Sequence, residues 1–367
     1  MEAPSKLKPP DIFKFPFTPY DIQHQFMHAL FNVLESGKLG IFESPTGTGK
    51  SLSLICGALT WFLSSEKHRR SYLENLVNDK ATFDNDDDDD WFAAAGRKQE
   101  HNQKRLEAKQ ELENIDARTA KLSKIKAKRN QLKQAEIEYQ KDEFDELFKE
   151  VKWIQKAVQR EISQGAGDED ILVEEYFSDE EGGGEDSEEE DTSRRIFFCS
   201  RTHSQLSQFV REVKKSPFGS EVSLVSLASR AVMCVNPIVK KLPSQAAINE
   251  KCLELGRKKS RPTALDVDEN PTKKAKSSSG CPYNKNTGTS VLRDQAVLSI
   301  HDIEELVTAG RKTQSCPYYA SRSAVPLAQM VVLPYNTLLH ASTRKALGRC
   351  YHYYSSNFVR FYLFCSF

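Results

Sequence analysis

Two glycines at alternate positions, Gly47 and Gly49, precede Lys50 and Ser51 in the stretch IFESPTGTGKSLSLI, residues 41–55. That order of residue types is suited to gripping a triphosphate. The glycines let the backbone curl so that successive N–H groups point inward at phosphate oxygens. A helix that starts at the lysine aims its positive end at the same charges. Lys50 would neutralise the β- and γ-phosphates, and the Ser51 hydroxyl would bind Mg²⁺. The pattern G-x-x-x-x-G-K-[ST] is met except at its first position, where Ser44 stands. Ser44, Pro45, Thr46, Gly47, Thr48, Gly49, Lys50 and Ser51 are therefore the candidate cradle, with Lys50 and Ser51 as its catalytic pair. Gln23 lies upstream. Its amide can donate and accept at once and so read an adenine edge, although a solvated glutamine on a helix surface is the plainer expectation.

A second chemistry is carried by cysteine. Cys234, Cys252, Cys281 and Cys316 share one segment, and two of them sit in matching settings, Cys281-Pro282-Tyr283 and Cys316-Pro317-Tyr318. None forms the C-x₂-C pair from which structural zinc sites are usually built. Four widely spaced thiolates suit a larger group gathered from several elements, such as a [4Fe–4S] cluster, which also takes four Cys ligands. From spacing alone an iron–sulfur cluster, a zinc ion and free thiols all stay open. Cys56 and Cys199 lie on apolar elements and read as small core residues.

The elements that must position these groups follow from local pattern. Thr18 and Pro19 open a helix, Asp21 completing a weak capping box. Ile22, Phe26, Ala29, Leu30, Val33 and Leu34 share its face, and Gly37 stops it. LGIFES, residues 39–44, reads as a short buried strand. Lys50 to Phe62 reads as the next helix, with Leu52, Ile55, Leu59 and Phe62 as its apolar side. Ile196 to Cys199 is an apolar strand, and Thr202 with Gln205 forms a capping box for a helix carrying Leu206, Phe209, Val210 and Val213. EVSLVSL (221–227) is a strand, and AQMVVLPYNTLLH (328–340) a strand followed by a helix. Strand–helix–strand at both ends predicts an α/β domain with insertions.

Composition locates the insertions. The 367 residues are 38% hydrophobic and 28% charged, and the zero net charge hides local blocks. DNDDDDD (84–90) is acidic. Residues 97–162 are rich in Lys, Glu, Gln, Ala and Leu, favour helix and lack a sustained heptad. Residues 167–191 are acidic and Gly-bearing. A solvated charged helix with disordered flanks is the expectation for this block, with a partner-docking peptide around Glu174, Glu175 and Tyr176 as the alternative. The basic runs RKKSR (257–261) and KKAK (273–276) suit nuclear import or simple solvation. No apolar run is long enough to cross a bilayer, and MEAPSKLKPPDIFKF lacks the apolar region of a signal peptide. The cysteines are thus expected in a reducing compartment.

FPFTPYDIQ (15–23), ESPTGTGKSLSLI (43–55), CSRTHSQLSQFV (199–210) and the four cysteines resemble, in that order, the iron–sulfur superfamily 2 DNA helicases. The resemblance covers residues 11 to about 348. It implies a RecA-like P-loop helicase domain 1, present in part, with an inserted helical and disordered charged segment and an inserted iron–sulfur domain. The implied divisions are 1–65 and 194–230 (RecA-like), 66–193 (charged insertion), 231–325 (iron–sulfur domain), 326–348 (RecA-like strand and helix) and 349–367 (divergent aromatic tail). It implies ATP, Mg²⁺ and a [4Fe–4S] cluster as cofactors, with Cys234, Cys252, Cys281 and Cys316 as metal ligands. Gln23 resembles the family's adenine-reading glutamine. Arg201, Thr202, His203 and Gln205 match the motif that touches the DNA backbone. Relatives in the family move 5′ to 3′ on single-stranded DNA, work on forked DNA in the nucleus, and serve replication, repair and sister-chromatid cohesion. Replication-fork and cohesion proteins are expected partners of the acidic insertion; no membrane role is implied.

A motor of this type also needs an acidic Walker B pair and a second lobe. Neither is found in the sequence: DEFDEL (142–147) follows no apolar strand, and RCYHYYSSNFVRFYLFCSF (349–367) carries no Asp or Glu. The expectation is a helicase portion that is no active motor alone, or a non-catalytic module that binds DNA or partners. The tail, lacking helical or alternating period, is expected to be foreign to the fold and to expose its aromatic residues.

Overall fold

A computed structural model describes residues 6–43, 47–79, 91–136, 194–256, 280–339 and 360–365. The elements, in chain order, are α1 (Asp21–Ser36), α2 (Lys50–Asn78), α3 (Trp91–Glu136), β1 (Arg195–Ser200), α4 (His203–Lys215) and β2 (Leu224–Ser226). Then come the short helices α5 (Arg230–Met233) and α6 (Pro237–Lys240), α7 (Gln245–Gly256), α8 (Asn286–Leu298), α9 (Ile303–Lys312), α10 (Pro317–Ala324), a 3₁₀ turn (Val325–Leu327), β3 (Met330–Pro334), α11 (Tyr335–Leu339) and β4 (Arg360–Cys365). The strands form one parallel sheet in the order β2-β3-β1-β4.

Both faces of the sheet are covered. Ile196 and Phe198 of β1, Met330 and Val332 of β3 and Leu224 of β2 face the core shared with α1, α2 and α4. Their neighbours Phe197, Cys199, Val331, Leu333 and Val225 face the opposite core, completed by Val297 of α8 and Ala324 of α10. Parallel strands buried on both faces read as continuous apolar runs, which is why β1 and β3 are recognisable from sequence. The α/β class holds. The four-cysteine segment lies wholly between β2 and β3, with separate apolar centres around Leu292, Leu306 and Tyr318 and around Val239 and Ile248.

Several local expectations are corrected. Helix α1 starts at Asp21, after Thr18 and Pro19, because Gln23 turns back and accepts the Tyr20 N–H at 3.0 Å. Its buried face is Gln23, Met27, Leu30, Phe31 and Leu34, while Ile22 and Ala29 are exposed. Gly37 does stop it, at φ +62°. The helix beginning at Lys50 runs past Phe62 to Asn78. Residues 39–43 form no strand: Leu39 and Ile41 are 92% and 91% exposed. Strand formation needs a neighbour to satisfy the backbone, and the described sheet ends at β4. The tail is corrected too. Residues 360–365 form a parallel strand along β1, from Arg195 opposite Arg360 to Ser200 opposite Cys365. Residues 349–359 and 366–367 lie outside the described residues.

The charged insertion is not merely a solvated helix. The extended part of α2 and the first half of α3 pack side by side around Leu73, Leu76 and Ala108. Arg69 reaches Glu111 with both a 2.5 Å and a 2.6 Å bond, and Arg70 reaches Asp116 at 2.7 Å. Further along, the Arg118 guanidinium donates to the carbonyls of Leu327 and Ala328, at 3.3 and 2.9 Å, just before β3. Leu122 packs onto the second sheet core. Ion pairs and a short apolar stripe hold this helix, in place of a sustained heptad. The acidic stretch 167–191, with Glu174, Glu175 and Tyr176, and the basic runs 257–261 and 273–276 lie outside the described residues.

Candidate nucleotide and nucleic-acid site

The candidate phosphate loop joins the extended segment 39–43 to the start of α2. Ser44, Pro45 and Thr46 lie outside the described residues. Gly47 and Gly49 take φ values of +84° and +70°, the left-handed region in which a side chain is strained. Gly49 is the N-cap of α2, so Lys50 is its first residue and Ser51 its second. The first-turn amides of a 29-residue helix therefore open toward the loop. Ser53 lies one turn on, its hydroxyl donating to the Gly49 carbonyl at 3.2 Å.

Gln23 is fixed to this loop. It is 8% exposed, so the expectation of a solvated side chain is overturned. Its Nε2 donates to the Thr48 carbonyl at 2.9 Å while its Oε1 accepts from the Tyr20 amide. One side chain thus closes the α1 N-terminus and holds the loop. A Cβ added at Gly49 would meet Gln23 Nε2 at 2.7 Å, so this glycine also makes room for the glutamine. That second task of Gly49 is invisible in the sequence, because Gln23 belongs to a different helix.

The turn after β1 presents the candidate nucleic-acid residues. Thr202 caps α4, its hydroxyl accepting from the Gln205 amide at 3.3 Å. The Gln205 side chain does not complete the box; its Oε1 accepts from Ser200 Oγ at 2.6 Å. Arg201 between them is exposed. His203 is partly buried, and desolvation holds its imidazole below the usual histidine range. Leu206, Phe209, Val210 and Val213 are buried as expected, with Phe209 stacked on Phe198 at 3.4 Å between ring centroids. This packing fixes the turn that carries Arg201.

The four cysteines are brought into one neighbourhood. Burial pushes the Cys316 thiol up to about 12 and the Cys234 thiol to about 11, and each is raised further by other members of the set. Cys252 is also raised by burial, with Arg230 opposing. Asn236 Nδ2 stands 3.6 Å from Cys281 Sγ and the Tyr319 hydroxyl 4.0 Å from Cys252 Sγ. Arg230 is 5% exposed and lies over the Tyr318 ring at 4.4 Å. Arg322 lies over the same ring at 3.5 Å and donates to the Ala228 carbonyl. Among the described residues no three His, Cys, Asp or Glu side chains close on a point fit for a metal ion. In kind, two buried thiols (Cys234, Cys316) and two half-buried ones (Cys252, Cys281) beside buried guanidinium groups suit an anionic thiolate-held group, because a buried cation needs a counter-charge. Cys56 and Cys199, by contrast, are core thiols pushed up to about 12 by burial alone.

Fold and loop together describe an α/β domain with a glycine-bearing loop at a helix N-terminus and a cysteine-bearing helical module between two of its strands. The DEAD_2 family matches residues 198–355. The chain is 38% identical over 358 residues to the ATP-dependent DNA helicase DDX11 of Danio rerio, covering 92% of this chain and 40% of that protein. It is 39% identical over 370 residues to the human ATP-dependent DNA helicase DDX11, covering 92% and 38%. Against the ATP-dependent DNA helicase chl1 of Schizosaccharomyces pombe the identity is 36% over 363 residues, covering 92% and 40%. The chain spans about two fifths of the length of these curated relatives.

Proposed function

We propose that this chain forms the ATP- and DNA-binding part of an ATP-dependent DNA helicase of the iron–sulfur superfamily 2 type, moving 5′ to 3′ and serving replication, repair and sister-chromatid cohesion in the nucleus. In this reading residues 1–65, 194–230 and 326–348 form a RecA-like lobe, and 66–193 and 231–325 are insertions. The carrying observation is the Gln23–Thr48 bond against a left-handed Gly49 at the start of α2. It fixes the Thr48–Gly49 end of the loop before nucleotide arrives, which reduces the ordering cost of binding. Lys50 would sit at the β- and γ-phosphates, Ser51 at Mg²⁺, and Gln23 at the adenine side.

For DNA, Arg201 is the residue free to reach a phosphate. Thr202 and Gln205 hold the turn through their bonds to Gln205 N and Ser200 Oγ. Cys234, Cys252, Cys281 and Cys316 would hold the [4Fe–4S] cluster. When bound, the cluster would supply a rigid cross-link between segments that also meet through small apolar centres and a few hydrogen bonds.

Binding of a fluorescent ATP analogue with Mg²⁺ to the purified chain, lost in Lys50→Ala, tests the nucleotide site. DNA-stimulated hydrolysis lost in the same variant would establish turnover. Binding of ATP and DNA without turnover would favour a non-catalytic module. Anaerobically purified protein should carry about four irons per chain, and a colourless, zinc-loaded protein would refute the cluster.

A further inference from the structure

We propose that the second half of α3 is a DNA-backbone contact surface separate from the turn at Arg201; the proposal rests on the reading that this chain binds DNA. Charge along α3 divides sharply. Residues 91–116 carry Arg97, Lys98, Lys104, Arg105 and Lys109 against Glu100, Glu107, Glu111, Glu113 and Asp116, an even balance. Residues 117–135 carry Arg118, Lys121, Lys124, Lys126, Lys128, Arg129 and Lys133 and no acidic residue. In the first half the carboxylates are used: Glu111 and Asp116 hold α2, and Glu100 holds Lys104. In the second half Lys121, Lys124 and Lys126 are exposed, and among the described residues they form no ion pair.

A helix of seven cations would suit a tethered solvated arm if nothing fixed it. Here it is fixed. Arg118 bonds two carbonyls ahead of β3, and Leu122 is inserted at the second sheet core. The docked side thus uses one cation, and the exposed lysines keep a set orientation relative to the sheet. The run extends over about 28 Å of helix axis. Lys121 and Lys124, three residues apart, share one exposed face of the docked helix, with Lys126 on its flank, and these cations raise a local positive potential. Its matching partner is a rod of regularly spaced anions, and the phosphate backbone of DNA provides one. Lysines, as point charges without a bidentate fork, suit contacts that position without reading sequence.

The experiment uses the full chain, with anisotropy of labelled single-stranded and duplex DNA over a salt series. The variants are Lys121→Gln/Lys124→Gln/Lys126→Gln, the matching triple Lys→Arg, and Arg201→Gln. Gln is as good a helix former as Lys, and far-ultraviolet circular dichroism confirms an unchanged helix. Removing three phosphate-binding charges makes the slope of log K against log salt shallower by about 2.7 on duplex and about 2.1 on single strands. Affinity at low salt falls at least about tenfold, while triple Lys→Arg keeps the wild-type slope. An unchanged slope in the Gln variant, with Arg201→Gln still weakening binding, overturns this inference alone. Failure of the wild-type chain to bind DNA overturns both it and the DNA reading. Unchanged DNA affinity with loss of binding to polyglutamate assigns the surface to an acidic protein instead, and also overturns it.

Discussion

Replacing Gly49 by Ala tests the idea that one glycine serves two purposes, and Gly47→Ala is its built-in control. Both glycines are left-handed, so both variants carry the same backbone penalty, about 1–2 kcal/mol. Among the described residues a Cβ at Gly47 meets nothing within 4 Å, whereas one at Gly49 meets Gln23 Nε2 at 2.7 Å. Relief of that contact moves the Gln23 amide and breaks its bond to Thr48, a further loss of about 1 kcal/mol. A free loop can relax out of the strained conformation, so both terms are felt when nucleotide binds. At about 1.4 kcal/mol per tenfold, Gly47→Ala should weaken a fluorescent Mg–ATP analogue by roughly tenfold and Gly49→Ala by roughly fiftyfold. The cycle with Gln23→Ala isolates the second term. In that background the Gly49→Ala step should fall to roughly tenfold, a coupling of about 1 kcal/mol. Equal effects for the two glycine variants, or a Gly49→Ala step unaffected by Gln23→Ala, would refute the reasoning.

Thr202→Ala removes the α4 cap and should lower stability by about 1 kcal/mol in chemical denaturation, and it should weaken DNA binding because the turn carrying Arg201 loosens. Deleting residues 358–367 removes β4, leaves the β1 edge unpaired, and should lower the thermal midpoint and increase aggregation; an unchanged midpoint would show that β4 adds nothing. His203 and His301 are both held below the usual 6.5 by burial. The unfolded chain then binds more protons than the folded one just below that value, so stability falls as pH drops through 6.5. Thermal midpoints between pH 7.5 and 5.5 should decline, and the decline should flatten in His203→Asn/His301→Asn.

Local chemistry already determined much of this molecule. The stripe Leu206, Phe209, Val210 and Val213 with Thr202 in front of it specifies α4, because a helix is stabilised by residues within a turn of one another. Gly37 stops α1, and Gly47 and Gly49 take left-handed conformations ahead of Lys50, for the same reason: each conformation is a property of one or two residues. The two apolar runs at 196–199 and 330–333 announce buried parallel strands.

Tertiary structure decided what depends on a partner distant in the chain. LGIFES and RFYLFC are comparably strand-forming, yet only the second is paired, because a strand exists through its neighbour and β1 offers its edge to β4. Gln23 looks like any surface glutamine until Thr48 and Gly49 are folded against it. The long charged helix gives no apolar period, and its orientation is set by Arg118, Leu122 and the ion pairs to α2. The thiols of Cys234, Cys252, Cys281 and Cys316 influence one another only because helices between β2 and β3 fold them together. Spacing in sequence reports none of these distances, since each is fixed by long-range packing.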